Sequence, residues 1–236
     1  DFSIRPATMH GSQSGDPMWF ATEHGDSQSV DVIKMTGVLS KTPTFGYTNI
    51  PVASYAEAVS PLNPNGTLIT DNIDSRIEKA AVSNDCLVAA HTVSLSATQD
   101  VIQWYAIDLS GTPFLQQQGR VSGGANTYLT YPGIDINPSG DIGLSYLRSG
   151  TDSSTDFLSM CVTGRMASDP LGTMQTSLVV PAAAGQANYR DFTSRTSRGG
   201  RCGDLSGINV DPITGSFWAA NEFANTQSSA NWGTGI

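Results

Sequence analysis

The sequence has few charged residues and very few lysines. Only 14% of its 236 residues are charged, lysine occurs three times, and the formal net charge is −9. Because nucleic-acid binding depends on clusters of basic side chains, this composition argues against a nucleic-acid partner. The nearest approach to such a cluster is the spaced series Arg190, Arg195, Arg198 and Arg201, which we interpret as a solvated, glycine-rich loop. An acidic, lysine-poor and Ser/Thr-rich surface instead predicts a secreted or cell-surface protein.

Long apolar runs and helical periodicity are also missing. No segment approaches the roughly 20 apolar residues of a membrane helix, so we expect no membrane span. No stretch of ten or more residues has a convincing helical period, which predicts an all-β protein. The chain begins at Asp1 without an initiating Met, so we expect either that a leader was removed or that this is part of a longer chain.

Cysteine occurs only three times, and no Cys-x-x-Cys pair is present. This excludes a zinc ribbon and a thioredoxin-type site. Cys161 and Cys202 fall near the end of one predicted repeat and the start of the next, so a disulfide between them is expected. Cys86 lies in an apolar strand and is interpreted as a buried thiol.

What the sequence does contain is a recurring hairpin pattern. Two short strands joined by a polar turn are predicted at residues 15–23, 77–91, 133–146 and 202–222. Further strands are predicted at residues 29–36, 100–109, 116–121 and 155–162. Because a propeller blade needs about 40–45 residues, we interpret residues 1–236 as one β-propeller domain of about five blades, which is either complete or a fragment.

Several segments resemble the secreted bacterial β-propellers of the broad sialidase-like type, which carry BNR or Asp-box repeats. They are residues 74–77, 87–91, 102–108, 131–134, 137–143, 202–207 and 217–222. Residues 139–146 have the Asp-box spacing Ser-x-Asp-x-Gly-x-x-aromatic, a structural turn that indicates fold and not activity. The resemblance implies a propeller with a ligand site at its channel mouth.

The resemblance also implies a set of site residues. A sialidase uses three arginines for a carboxylate, and Arg76, Arg148 and Arg201 stand at corresponding strand ends. The opening Phe/Tyr-Arg-Ile-Pro of that family is replaced by Ser3-Ile4-Arg5-Pro6, which weakens the catalytic interpretation. The predicted binding residues are Asp74, Arg76, Tyr131 and Asp204. The candidate catalytic carboxylates are Asp204 and Glu222.

Calcium is the only cofactor that the sequence suggests. Asp71, Asp152 and Asp156 lie in predicted loops, and carboxylates in tight turns suit hard cations. The segment that begins at Asp135 imitates the first half of an EF-hand loop, but Tyr146 stands where the closing Glu is required.

These observations predict an extracellular binding or structural-interaction module whose ligand is a glycan or a protein. Two alternatives stay open: a sialidase-like glycoside hydrolase, and an architectural subunit of a surface filament or envelope layer.

Overall fold

The computed structural model describes residues 3–71, 73–193, 199–203, 206–227 and 230–236. Within these ranges the regular structure is β-strand, apart from one short 3-10 turn at Pro181–Ala183. The all-β prediction is therefore confirmed. No helix in the described part of the chain is long and apolar enough to cross a membrane.

In the described part of the chain, twelve strands form a large sheet and three form a small one. The large sheet contains β1 (Arg5–Met9), β2 (Met18–Glu23), β3 (Ser29–Thr36), β4 (Thr44–Pro51), β5 (Lys79–Ser83), β6 (Cys86–Ser96), β7 (Gln99–Asp108), β8 (Phe114–Val121), β9 (Thr127–Ile136), β10 (Ile142–Gly150), β11 (Ser159–Arg165) and β12 (Leu178–Val179). The small sheet contains β13 (Gly207–Val210), β14 (Phe217–Ala224) and β15 (Trp232–Gly235).

The predicted propeller is wrong. The large sheet is open and mixed, in the order β12-β11-β10-β9-β7-β6-β5-β1-β2-β3-β4, with β8 paired to β7. Strands that are close in sequence pair antiparallel, as the hairpin pattern predicts. However, β1 pairs with β5 and β7 pairs with β9 in parallel, and these two pairings join the antiparallel groups side by side into one sheet.

The local hairpin predictions are confirmed where the turn chemistry is explicit. The segments 77–91, 133–146 and 202–222 contain the hairpins β5–β6, β9–β10 and β13–β14. The hairpin predicted at residues 15–23 is wrong, because this segment contains the single strand β2, which pairs with β1 and β3. The β5–β6 turn consists of Asn84 and Asp85, which both have positive φ (46° and 56°). Asn and Asp tolerate this conformation better than most side chains do, and it matches the twist of a two-residue hairpin.

The central strands are buried on both faces of the large sheet. Alternate residues of β6 belong to different hydrophobic clusters, with Leu87 and Ala89 in one and Val88 and Ala90 in the other. Every residue of β9 is buried. Strands covered on both sides have continuous apolar runs instead of a polar–apolar alternation, which explains the sequence of this region.

The small sheet packs closely against β9 and β10. A Cβ atom at Gly133 would lie 3.2 Å from the main chain of Gly207 and Ile208, and one at Gly143 would lie 2.6 Å from the Phe217 ring. A side chain at Gly143 would therefore collide with the Phe217 ring, and one at Gly133 would require its neighbours to shift by a few tenths of an ångström. This close approach brings the loop that precedes β13 next to the start of β5.

The disulfide predicted between Cys161 and Cys202 is not formed, because Cys161 is a free thiol. Cys161 packs in the hydrophobic cluster around β10, whereas Cys202 packs with Tyr131 and Tyr189 in a separate cluster. Burial raises the pKa of the Cys161 thiol to about 12, so this side chain is an inert part of the core.

Candidate functional site

A cleft of about 290 Å³ opens where the start of β1, the segment leading into β5, strand β9 and the loop before β13 meet. Its charged lining residues are Arg5, Arg76, Lys79, Arg201, Asp74 and Glu78. We call it the arginine cleft. These residues give it a formal charge of +2 in a chain whose net charge is −9, and they include four of the twelve lysine and arginine residues.

Asp74 and Arg76 form an ion pair on one wall of the arginine cleft. The Arg76 Nε donates to Asp74 Oδ1 at 2.6 Å, a guanidinium nitrogen donates to Asp74 Oδ2, and the Arg76 main-chain N–H donates to Oδ1 at 3.1 Å. Burial alone would raise the pKa of Asp74. The hydrogen bonds and charge of Arg76, with the charge of Arg5, outweigh burial and lower that pKa below its usual value. Asp74 is therefore an ionised carboxylate that fixes the direction of Arg76.

Arg5 and Arg201 reach the cleft from distant parts of the chain. The Arg5 Nε donates to the Ile77 carbonyl at 3.3 Å, a contact between residues 72 positions apart. Arg201 is held by its main chain, since its N–H donates to Asp191 Oδ2 at 2.8 Å and its carbonyl accepts the Tyr189 hydroxyl. The Arg201 residue itself is exposed.

Lys79 connects the arginine cleft to the small sheet. Its Nζ donates to the Ile208 carbonyl at 2.6 Å and to Asn209 Oδ1 at 3.0 Å. Burial lowers the pKa of Lys79, and the nearby charge of Asp135 opposes that shift. The position of β13, and of the loop before it, therefore depends on polar contacts with β5 and β9.

Tyr131 occupies a strained position at the irregular part of the β9–β10 pairing. Its φ is +52°, which is uncommon for an aromatic residue, and it is only 4% exposed. Its carbonyl accepts the Ser206 hydroxyl at 3.3 Å, and its ring packs directly on the backbone of Gly203. The ring and the loop before β13 thus hold each other in place at the cleft.

Gly203→Ala should disturb this contact. A Cβ at Gly203 would overlap the Tyr131 ring carbons, and Gly203 has φ +75°, which disfavours alanine. We expect a loss of about 1–3 kcal/mol in the free energy of unfolding, measured by urea denaturation. Gly207→Ala is the matched control, because a Cβ there meets no atom within 4 Å. Equal stability of the two variants would contradict the packing described here.

The structure brings together three of the four predicted binding residues. Asp74, Arg76 and Tyr131 line one cleft, whereas Asp204 lies outside the described residues. Two of the three predicted arginines, Arg76 and Arg201, line the arginine cleft, and Arg148 does not. The third arginine of the cleft is Arg5. The sequence analysis missed Arg5, Glu78 and Lys79. The Ser3-Ile4-Arg5-Pro6 segment was the one available signal, and only the pairing of β1 with β5 explains its importance.

Glu222 lies beside the arginine cleft and is not among its lining residues. Its Oε2 accepts the Gly203 main-chain N–H at 3.1 Å and the Tyr189 hydroxyl at 3.3 Å. These contacts give Glu222 a structural role in holding the loop before β13. Since Asp204 lies outside the described residues, the predicted catalytic pair is not placed by the structure.

Two of the three predicted calcium ligands, Asp152 and Asp156, form ion pairs with Arg148. The Arg148 Nε donates to Asp156 at 3.1 Å, and a second guanidinium nitrogen lies 3.6 Å from Asp152 Oδ2. Burial raises the pKa of Asp156, Arg148 opposes that shift, and the neighbouring Asp152 adds to it. Asp71 is an exposed residue of the segment before β5. Among the described residues, no three His, Cys, Asp or Glu side chains are grouped so as to hold a metal ion.

The chain matches no family model, no curated protein and no solved structure. The resemblance to sialidase-like proteins therefore stays a prediction. The functional argument rests on the geometry of the site.

Proposed function

We propose that this protein is an extracellular binding module for acidic glycans and that the arginine cleft holds the carboxylate of a sugar acid. The observation that carries the proposal is the convergence of Arg5, Arg76, Arg201 and Lys79 on one cleft of an acidic chain. Guanidinium groups bind carboxylates through two parallel hydrogen bonds. A positive cleft in a negative protein also concentrates anions at that one place on the surface.

The size and lining of the cleft favour a small polar ligand. Its volume of about 290 Å³ lies near the lower limit of small-molecule pockets, about 300 Å³. Charged side chains dominate the lining, and Tyr131 and Ser206 add hydroxyl-bearing residues. A monosaccharide unit that bears a carboxylate fits this chemistry better than an apolar ligand does. The extracellular location in this proposal rests on the acidic, lysine-poor composition.

Asp74 is not the proton donor of a hydrolase in this proposal. A glycoside hydrolase needs one protonated carboxylic acid next to the scissile bond. The pKa of Asp74 is lowered by Arg76 and Arg5, so this carboxyl group is ionised at neutral pH. Asp74 therefore orients an arginine in our proposal and does not donate a proton.

Arg201→Gln should weaken the binding of acidic sugars by about tenfold or more, because a charge-assisted hydrogen bond contributes about 1.5–3 kcal/mol. The test is isothermal titration calorimetry with the methyl glycosides of glucuronic acid and N-acetylneuraminic acid. The substitution leaves the main-chain hydrogen bonds of Arg201 with Asp191 and Tyr189 in place.

Two controls sharpen this test. Lys41→Gln removes one exposed positive charge away from the cleft and should leave the affinity unchanged. The methyl esters of the same sugars lack the carboxylate charge and should bind far more weakly to the wild-type protein. Equal affinity of acid and ester, or of Arg201→Gln and wild type, would refute the proposal. Release of free sugar by the wild-type protein would replace binding by hydrolysis as its function.

A further inference from the structure

A separate pocket of about 260 Å³ lies where the ends of strands β6–β8 meet the ends of β9–β11. Arg165 is the one charged side chain among the described residues that line it, and we call it the Arg165 pocket. Much of the remaining lining is apolar: Ala106, Ile136, Ile142 and Leu171. The Arg165 pocket and the arginine cleft share no described lining residue, so they are distinct sites.

The Arg165 side chain projects from the end of β11 on the side of the pocket. Arg165 lies opposite Ile142 in the β10–β11 pairing, and directly opposed residues project from the same face of a sheet. Ile142 packs in one hydrophobic cluster with Cys86, Ala106 and Ile136. All four of these residues line the Arg165 pocket, so the arginine and the pocket are on the same face.

The guanidinium of Arg165 is buried and poorly satisfied. The residue is only 4% exposed, and its Nη2 donates to the Asp169 main-chain carbonyl at 2.7 Å. Its Nε has no partner in the described part of the chain, and no described carboxylate lies within 4 Å of the guanidinium. Arginine has five N–H donors, and a buried charge is nearly always paired. This cation therefore indicates a counter-charge that the described residues do not supply.

The two nearest titratable groups do not provide that counter-charge. The Asp169 carboxylate accepts the Met166 N–H at 2.8 Å and the Gln175 amide at 3.0 Å. These two bonds lower the pKa of Asp169 more than Arg165 does. Burial raises the pKa of the Cys86 thiol to about 11, and the charge of Arg165 opposes that shift. Cys86 is therefore a neutral thiol near the guanidinium at neutral pH.

From these observations we infer that the Arg165 pocket binds a small organic monocarboxylate. One guanidinium matches one negative charge and holds a carboxylate through two parallel hydrogen bonds. Because Nε is enclosed by protein, the terminal nitrogens are the atoms that meet the carboxylate. The apolar side chains of the lining accommodate the carbon body of the ligand. A water molecule accepts a hydrogen bond from Arg165 but does not neutralise its charge.

Arg165→Met tests the inference, because methionine removes the charge and keeps an unbranched side chain. The probes are butyrate and benzoate, their neutral amides butyramide and benzamide, and inorganic phosphate, each titrated by ligand-observed NMR. The wild-type protein should bind at least one of the two acids about tenfold or more tightly than its amide. Arg165→Met should lower the affinity for that acid by about tenfold or more.

Leu171→Glu keeps the test decisive if Arg165→Met does not fold. Leu171 is a 70% exposed residue at the rim, so glutamate there places a negative charge beside the pocket without entering the core. The affinity for the acid should fall by about threefold or more. Leu39→Glu is the matched control, because it makes the same change at a 95% exposed position outside the pocket and should leave the affinity unchanged.

Three results would overturn the inference. The first is that neither acid binds, which would mean that the pocket holds water alone. The second is equal affinity of acid and amide, or tighter binding of phosphate than of either acid. The third is acid binding that survives both Arg165→Met and Leu171→Glu, since the acid would then bind elsewhere. None of these results bears on the arginine cleft, whose sugar-acid binding is tested separately with Arg201→Gln.

Discussion

Asp135→Asn should lower the free energy of unfolding by about 3 kcal/mol, because breaking a buried charged network leaves its partners unsatisfied. Asp135 has no exposed surface. Its Oδ1 contacts His10 Nε2 at 2.7 Å and accepts the Ile136 N–H at 2.8 Å, while its Oδ2 accepts the Val210 N–H at 3.0 Å. The two sheets and the end of β1 thus meet at one carboxylate.

Asparagine has the shape of aspartate but cannot replace both of its oxygens. If the amide oxygen keeps the bond from Val210, the amide nitrogen faces the Ile136 N–H; the opposite orientation places it against the Val210 N–H. Lys79 also loses a nearby negative charge. Since asparagine creates no cavity, the loss of stability measures the polar network alone.

Urea unfolding of wild type, Asp135→Asn and Asp85→Asn provides the measurement. Asp85 is an exposed residue of the β5–β6 turn with φ +56°, a conformation that asparagine adopts easily. The control should therefore unfold at the wild-type midpoint. An Asp135→Asn midpoint equal to that of the control would show that Asp135 does not join the sheets. An unchanged m-value is expected for both variants, because the surface exposed on unfolding stays the same.

Local chemistry made much of the strand content predictable. The structure has β3 at Ser29–Thr36, the range that the sequence predicts. The Asn84–Asp85 turn is likewise set by residues that tolerate positive φ. These features depend on neighbours in sequence, and a single sequence contains that information in full.

The side-by-side arrangement of the groups of antiparallel strands could not be predicted from the sequence. The repeat of hairpins indicates how strands pair within a group, but it contains nothing about which edges of different groups meet. In the structure Ala7 pairs with Ala80, and Asp100 pairs with Tyr128, through parallel contacts that close long loops. The small and apolar residues of the β1–β5 pairing are compatible with many partners, so the sequence pattern did not distinguish an open sheet from a ring of blades.

In the candidate site, too, the local contacts could be predicted from the sequence and the long-range contacts could not. Asp74 and Arg76 are two residues apart, so their pairing is local and the sequence placed both at the site. Arg5 joins them through the long-range pairing of β1 with β5, and no local pattern indicates that contact. Arg148 has a suitable spacing, but its guanidinium is paired with Asp152 and Asp156.

Asp100→Asn should change how stability depends on pH. Asp100 has no exposed surface; its Oδ1 accepts the Val59 N–H at 3.0 Å, and its Oδ2 has no partner within the described residues. Burial raises the pKa of this carboxyl group to about 7, and the Val59 hydrogen bond opposes the shift. The folded protein therefore keeps a proton up to near neutral pH that the unfolded chain releases near its ordinary value of 3.8.

The sign of the effect follows from this difference in proton affinity. A raised pKa in the folded state contributes stability at low pH, and that contribution falls as the pH rises through about 7. Between pH 5 and pH 8 the wild-type protein should lose about 3 kcal/mol that Asp100→Asn does not lose, since each pKa unit corresponds to about 1.4 kcal/mol. Urea unfolding at pH 5, 6, 7 and 8 gives the slope of the unfolding free energy against pH for each protein, and the two slopes are compared.

Asp108→Asn is the control at the other end of β7. Asp108 is only partly buried, and the hydrogen bonds from Ser110 lower its pKa. The stability that the ionised Asp108 carboxylate contributes is therefore lost only in acid, below the measured pH range. Asp108→Asn should accordingly keep the wild-type slope of unfolding free energy against pH between pH 5 and pH 8. If Asp100→Asn showed the same slope as wild type and Asp108→Asn, Asp100 would have to be ionised in the folded core. A buried carboxylate without a second partner would then have to be stabilised by a group that the structure does not place there.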